Sequence, residues 1–111
     1  MSKEEVQSIA FMIIAYSGSA FDHFYKAIDY ARENEFSKVE NELELGKADL
    51  TSAHKSQAEL LTAEVNQEEI PYSLIMTHAQ DHLSMAIFSE RMSKVMILMY
   101  KDRLLEKEMK N

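Results

Sequence analysis

Lys3–Glu33 reads KEEVQSIAFMIIAYSGSAFDHFYKAIDYARE, and its spacing decides the fold class. Val6, Ile9, Ile13, Tyr16, Ala20, His23, Ala27 and Tyr30 recur at alternating steps of three and four. A helix brings residues so spaced onto one face, whereas a strand would need a step of two. The stretch is therefore one long helix with a heptad-like stripe. Gly18 falls inside it. A helix-interior glycine costs about 1 kcal/mol relative to alanine, so it is expected to mark close packing. His23 lies on the stripe and is expected to be partly buried and hydrogen-bonded.

Two further helices follow. Asn34 can adopt the left-handed conformation that ends a helix. Ser37 and Glu40 have capping-box spacing, with Phe36 as a staple, which predicts a second helix from Ser37 to Val65. Its stripe is Val39, Leu43, Gly46, Leu50, Ala53, Gln57 and Leu60. Small or polar residues stand where leucine is expected, so either a neighbour approaches closely or a polar group needs a partner. His54, beside them, reads as a surface polar residue. The segment NQEEI (66–70) breaks the pattern, and Pro71 suits a first helical turn. A third helix is predicted from Pro71 to Glu106, with the tail KEMKN frayed.

This third segment shows two apolar stripes. One is Ile75, His78, His82, Met85, Ser89, Met92, Met96 and Met99. The other is Leu74, Thr77, Asp81, Ser84, Phe88, Arg91, Val95 and Leu98. Core packing at helical spacing accounts better for the methionines than an adaptable binding surface does. So broad a face makes the helix central in its domain or shared with another subunit. Short connections make consecutive helices antiparallel. The expected fold is all-α: an elongated antiparallel three-helix bundle over residues 1–111 as one domain.

Composition sets the outer limits. With 111 residues, the chain buries roughly 65% of the surface its unfolded form exposes, so oligomerisation would help it. Two glycines and one proline leave little room for the turns of a sheet protein. The net charge of −7 disfavours nucleic acid and anionic lipid as partners. The chain has no cysteine, which excludes disulfides and thiolate metal sites and suits a reducing compartment. MSKEEVQS lacks the basic segment and apolar core of a signal peptide, and no 18-residue apolar run occurs. A cytoplasmic protein without membrane insertion is expected.

Against this plain background, PYSLIMTHAQDHLSM (71–85) places His78, Gln80, Asp81 and His82 within five residues. His78 and His82 are four apart and share a face, with Asp81 on the adjacent stripe. Polar groups set among apolar ones cost free energy unless paired. Three chemistries could use them. A zinc site could take both histidines and Asp81, but Ala79 stands where the HExxH signature of a zinc peptidase needs glutamate. General acid–base catalysis lacks a second carboxylate or a substrate-binding loop. Nucleophilic catalysis remains: an ordinary imidazole is mostly neutral at pH 7 and can attack phosphorus, while a second imidazole supports the phosphoryl oxygens. On residue types alone, a structural polar cluster stays open beside these three.

Pro71-Tyr72-Ser73 followed by His78-Ala79-Gln80-Asp81-His82-Leu83 resembles the signature of the enzyme IIA component of the lactose/cellobiose (N,N′-diacetylchitobiose) class of the bacterial phosphoenolpyruvate-dependent sugar phosphotransferase system. The likeness covers nearly the whole chain, including Glu4-Glu5, Ile13–Gly18, Ala53-His54 and Ser56-Gln57. It departs at Ser84, where the family pattern suggests methionine, away from the reactive positions. The resemblance implies a homotrimer of three-helix subunits. It implies a phosphotransferase component in which His78 accepts phosphate from the phosphocarrier protein HPr as a phosphohistidine. The phosphate then passes to a cysteine of the IIB component and on to a β-linked disaccharide (lactose, cellobiose or chitobiose) entering through the membrane IIC component. It further implies one Mg2+ per trimer shared by three copies of Asp81. His82 is expected to support the phosphoryl group, and Gln80 to donate a hydrogen bond. The alternative is a helical regulatory or interaction protein whose His/Asp cluster is a structural metal site; a metal-dependent hydrolase is a weaker rival.

Overall fold

Of the stripe of the first segment, Val6, Ile9, Ile13, Ala20 and Ala27 are buried, and Tyr16, His23 and Tyr30 are half-buried. In the structure, a computed structural model that describes residues 1–110, α1 spans Lys3–Arg32 and buries Val6, Ile9, Ala10, Ile13, Ala20, Phe24, Ala27 and Ala31. Its start is fixed by a capping box: the Ser2 hydroxyl accepts from Glu5 N–H at 3.0 Å, and the Glu5 carboxylate accepts from Ser2 N–H at 3.2 Å. At its end Asn34 takes φ 63°, and Glu35 N–H reaches back to Tyr30 O at 2.8 Å, so the last carbonyls of α1 are met within the turn.

α2 spans Phe36–Val65 and buries Val39, Gly46, Leu50, Ala53, Ser56 and Ala63. The capping box expected at Ser37 and Glu40 does not form. The helix starts one residue earlier, Glu35 occupies the N-cap position, and no side chain caps it. The tight turn after α1 brings the chain into α2 before Ser37, so Ser37 already lies inside the helix. Gln67 at φ 61° closes the other end, with Glu68 N–H on Ala63 O at 3.0 Å. The connection to α3 is tied down by the chain start: the Met1 ammonium donates to Glu69 O at 3.0 Å.

α3 spans Leu74–Met109, later at both ends than expected. Pro71 stays outside it. The N-cap is Ser73, whose hydroxyl accepts from Met76 N–H at 3.3 Å. A hydroxyl satisfies an orphan amide; Ile70, the cap that a helix starting at Pro71 would have, offers no acceptor. The tail is helical to Met109, and Asn111 lies outside the described residues.

The helices form an up-down-up rod of 65 × 19 × 19 Å with no strand among the described residues. α1 is the central element. It packs along both α2 and α3, which touch each other only sparsely. Of the two expectations for α3, central in its domain or shared with another subunit, the first is not met. The stripes read on α3 are also displaced. Its buried residues are Met76, Ala79, Leu83, Ala86, Ser93 and Ile97, one residue beyond the first expected stripe and on the side away from the second. Ala79 and Ala86 join a core cluster with Val6, Ile9, Ile13 and Phe24 of α1, and Ser93 is fully buried. The large residues Leu74, Met85, Phe88, Val95, Met96, Leu98 and Met99 face outward.

Gly46 is where helices truly approach. A Cβ there would meet the Phe24 ring at 2.6 Å, and Phe24 is only 1% exposed. At Gly18 a Cβ would meet nothing within 4 Å, so close packing is absent there within the chain. His23 is half-buried between α1 and α2 as expected: its Nδ1 lies 2.6 Å from Glu42 Oε2 and its Nε2 3.7 Å from Asp49 Oδ2, which also accepts from the Ser19 hydroxyl.

Candidate functional site

The His-rich cluster stands on the first turns of α3, beginning one turn past the Ser73 cap. The i,i+4 spacing does what helical geometry requires. His78 is exposed, His82 is half-buried, and their Nε2 atoms lie 3.0 Å apart with ring planes at 90°. At that distance one Nε2 carries a proton and donates it, and the other offers a lone pair. If His82 donates, His78 holds its own proton on Nδ1 and its Nε2 lone pair accepts from His82 Nε2–H, a hydrogen bond that must open before that lone pair can attack. That arrangement sets a hydrogen-bond donor beside an imidazole nitrogen able to act as a nucleophile.

Asp81 is exposed on the same side of α3 and pairs with no cation among the described residues. Gln80 is not brought to the imidazoles. Two residues along a helix is about 200° of rotation, so Gln80 points away from His78. Its carbonyl oxygen accepts from Gln57 Nε2 at 2.6 Å, and its amide nitrogen donates to Met76 Sδ at 3.4 Å. The polar position anticipated on α2 at Gln57 is explained by this bond. It is one of the few links between α2 and α3, and spacing could not have paired the two glutamines because they are 23 residues apart. Ser73, which fixes the helix start and hence the orientation of His78, escaped the sequence reading because Pro71 offered the more conspicuous start signal. His54 is exposed, as expected of a surface residue.

Charge near the pair is sparse. No lysine or arginine occurs in α3 before Arg91. The helix dipole adds little, because its effect fades within the first turn and His78 lies just beyond it. Among the described residues no group of three or more His, Asp, Glu or Cys could hold a metal ion. The larger surface cavities are lined elsewhere, by Phe11 and Met12 of α1 or by Phe21, Tyr25 and Phe88 between α1 and α3. The histidine pair occupies an open helix face. Such a surface suits a donor carried by another macromolecule better than a small substrate that must be enclosed.

Comparison with known proteins agrees over nearly the whole length. A family model described as the lactose/cellobiose-specific IIA subunit of the PTS system matches residues 8–101. The lactose-specific EIIA component of Staphylococcus epidermidis is 38% identical over 101 residues, covering 91% of this chain and 97% of that protein. Among solved structures, the cellobiose-specific enzyme IIA of Bacillus anthracis superposes with a TM-score of 0.88 at 28% identity, over 95% of this chain and 94% of the other. PtcA from S. mutans does so with a TM-score of 0.87 at 36% identity, over 91% and 99%. No helix of the described residues is long and apolar enough to cross a membrane.

Proposed function

The chain belongs to the lactose/cellobiose-specific IIA family of the sugar phosphotransferase system, and from that premise we propose that His78 is its phosphoryl-carrying residue. The observation that carries the reading is the 3.0 Å contact between the two Nε2 atoms on an open helix face. The lone pair of His78 Nε2 attacks the phosphorus brought by phospho-HPr. An N–P bond forms, the bond to the donor breaks, and its electron pair leaves with the donor. His82 Nε2–H, released from the lone pair, turns to a phosphoryl oxygen. In the second half the cysteine thiolate of the IIB component attacks the same phosphorus, and the N–P electron pair returns to His78. The IIC component then delivers the sugar. The names of the relatives include both lactose and cellobiose, so the substrate proposed is the class of β-linked disaccharides, chitobiose included.

The assembly proposed is a homotrimer. Large apolar residues exposed on α1 (Phe11, Phe21, Tyr25) and α3 (Met85, Phe88, Met99) give it a surface to bury. One Mg2+ per trimer, held by three copies of Asp81, belongs to the same proposal. A carboxylate is a hard oxygen donor that fits Mg2+, and each chain supplies one, so the site exists only between copies. The ion would offset the repulsion of three acids brought together. Gln80 serves here through α2, holding the helix that bears His78, instead of donating to the phosphoryl group of its own chain.

The test is phosphoryl uptake from phosphoenolpyruvate, enzyme I and HPr, followed by intact mass before and after acid treatment. An acid-labile adduct that vanishes in His78→Ala supports the reading. Full transfer in His78→Ala with loss in His82→Ala would move the nucleophile, and no adduct on folded wild-type protein would sink the carrier role.

A further inference from the structure

At the far end of the rod, cations gather around a cavity that phosphoryl transfer at His78 does not use. It has a volume of about 210 Å3 and is lined by Arg32 at the end of α1, Asn34 in the turn, and Tyr100, Arg103, Leu104 and Lys107 of α3. The lining holds three cations and no carboxylate. That is the reverse of the chain as a whole, which carries 19 Asp and Glu against 12 Lys and Arg. Arg32 gives Nη2 to Asp29 at 3.0 Å, which leaves its other N–H groups for a ligand. Arg103 and Lys107 make no ion pair among the described residues. Tyr100 and Leu104 are half-buried and form an apolar wall.

We propose that this corner binds a small phosphate monoester, its phosphate met by Arg32, Arg103 and Lys107 and its organic part lying against Tyr100 and Leu104. Guanidinium groups match phosphate oxygens in a fork, and an ammonium adds a third donor. The cavity corresponds to about seven water volumes, room for more than the phosphate alone. Arg103 lies 25 residues beyond His78 on α3, about 38 Å along the helix, so the site is separate from the histidine pair and does not rest on its role.

The test is a backbone-amide NMR titration with phenyl phosphate, inorganic phosphate, and sodium chloride at matched ionic strength. Phenyl phosphate should give saturable 1:1 shifts centred on Asn34 and Arg103, and should bind more tightly than inorganic phosphate. Arg103→Gln should weaken it about tenfold, the cost of one charge-assisted hydrogen bond, while Arg103→Lys keeps part of the affinity. Arg103 and Lys107 are exposed, and unchanged helicity by circular dichroism establishes that their variants fold. Shifts that fail to saturate, that chloride reproduces, or that persist in an Arg103→Gln/Lys107→Gln double variant would overturn the site. Equal affinity for the two phosphates would overturn the ester assignment.

Discussion

At the residue scale, chemistry and packing separate cleanly. His78 and His82 could be paired from their spacing, because a helix turn is a local geometry that the sequence carries in full. His82→Ala should leave His78 able to accept phosphate but slow transfer about 10- to 100-fold, the loss of one hydrogen bond to a charged group. Quenched-flow phosphorylation measures it, and an unaltered rate would remove His82 from the mechanism. The two glycines behave oppositely. Gly46→Ala drives a Cβ into the Phe24 ring, and overpacking of about 1–3 kcal/mol exceeds the gain of about 1 kcal/mol in helix propensity. Gly18→Ala meets open space and should gain about 1 kcal/mol. Urea midpoints should therefore move in opposite directions. A lowered midpoint for Gly18→Ala would mean that another copy of the chain packs there. Both glycines look alike in the sequence, and only the neighbour across the helix pair tells them apart.

At the scale of elements, α1 and α2 could be read because their core positions carry the periodicity. α3 could not. Its large apolar residues drew the reading outward, while the core-facing Ala79, Ala86 and Ser93 are small or polar and leave a weak signal. The start of α1 at Lys3 follows the spacing, whereas α2 has no side-chain cap in place of the box expected at Ser37, and Ser73 caps α3 in place of a start at Pro71. Ser73→Ala should cost about 1 kcal/mol and loosen the turn below His78, visible as faster amide exchange at Met76. The Ser2 cap has a signature in pH. Bonds from the Ser2 backbone amide and then its hydroxyl region hold the Glu5 carboxyl below the ordinary glutamate value. A depressed value means that the contribution is present above the ordinary glutamate range and is lost as pH falls through the folded-state value. Carbon NMR titration should find Glu5 below the ordinary glutamate value, and Ser2→Ala should raise it. No change in Ser2→Ala would dismiss the capping box.

At the scale of the whole molecule, the outward apolar face of α1 and α3 is the dominant fact. Phe88 is 64% exposed and Met99 65%, more than a lone thin rod should leave to water. Phe88→Glu should break the assembly, so light scattering should report a mass near the 12.8 kDa of one chain where the wild type gives three times that. A wild-type protein already at one chain would end the trimer reading. Removing Mg2+ with EDTA should lower the melting temperature of the wild-type protein and leave Asp81→Asn unmoved. The sequence by itself determined that this protein is three long helices with a histidine pair on the third, because helical period and i,i+4 spacing are local properties of the chain. Only the tertiary structure decided that α1 is the centre, that Gly46 and not Gly18 is the close contact, and that Gln80 answers Gln57. Those outcomes depend on which helix faces which, and that is set by small residues admitting close approach, a relation between distant positions that no single stretch records.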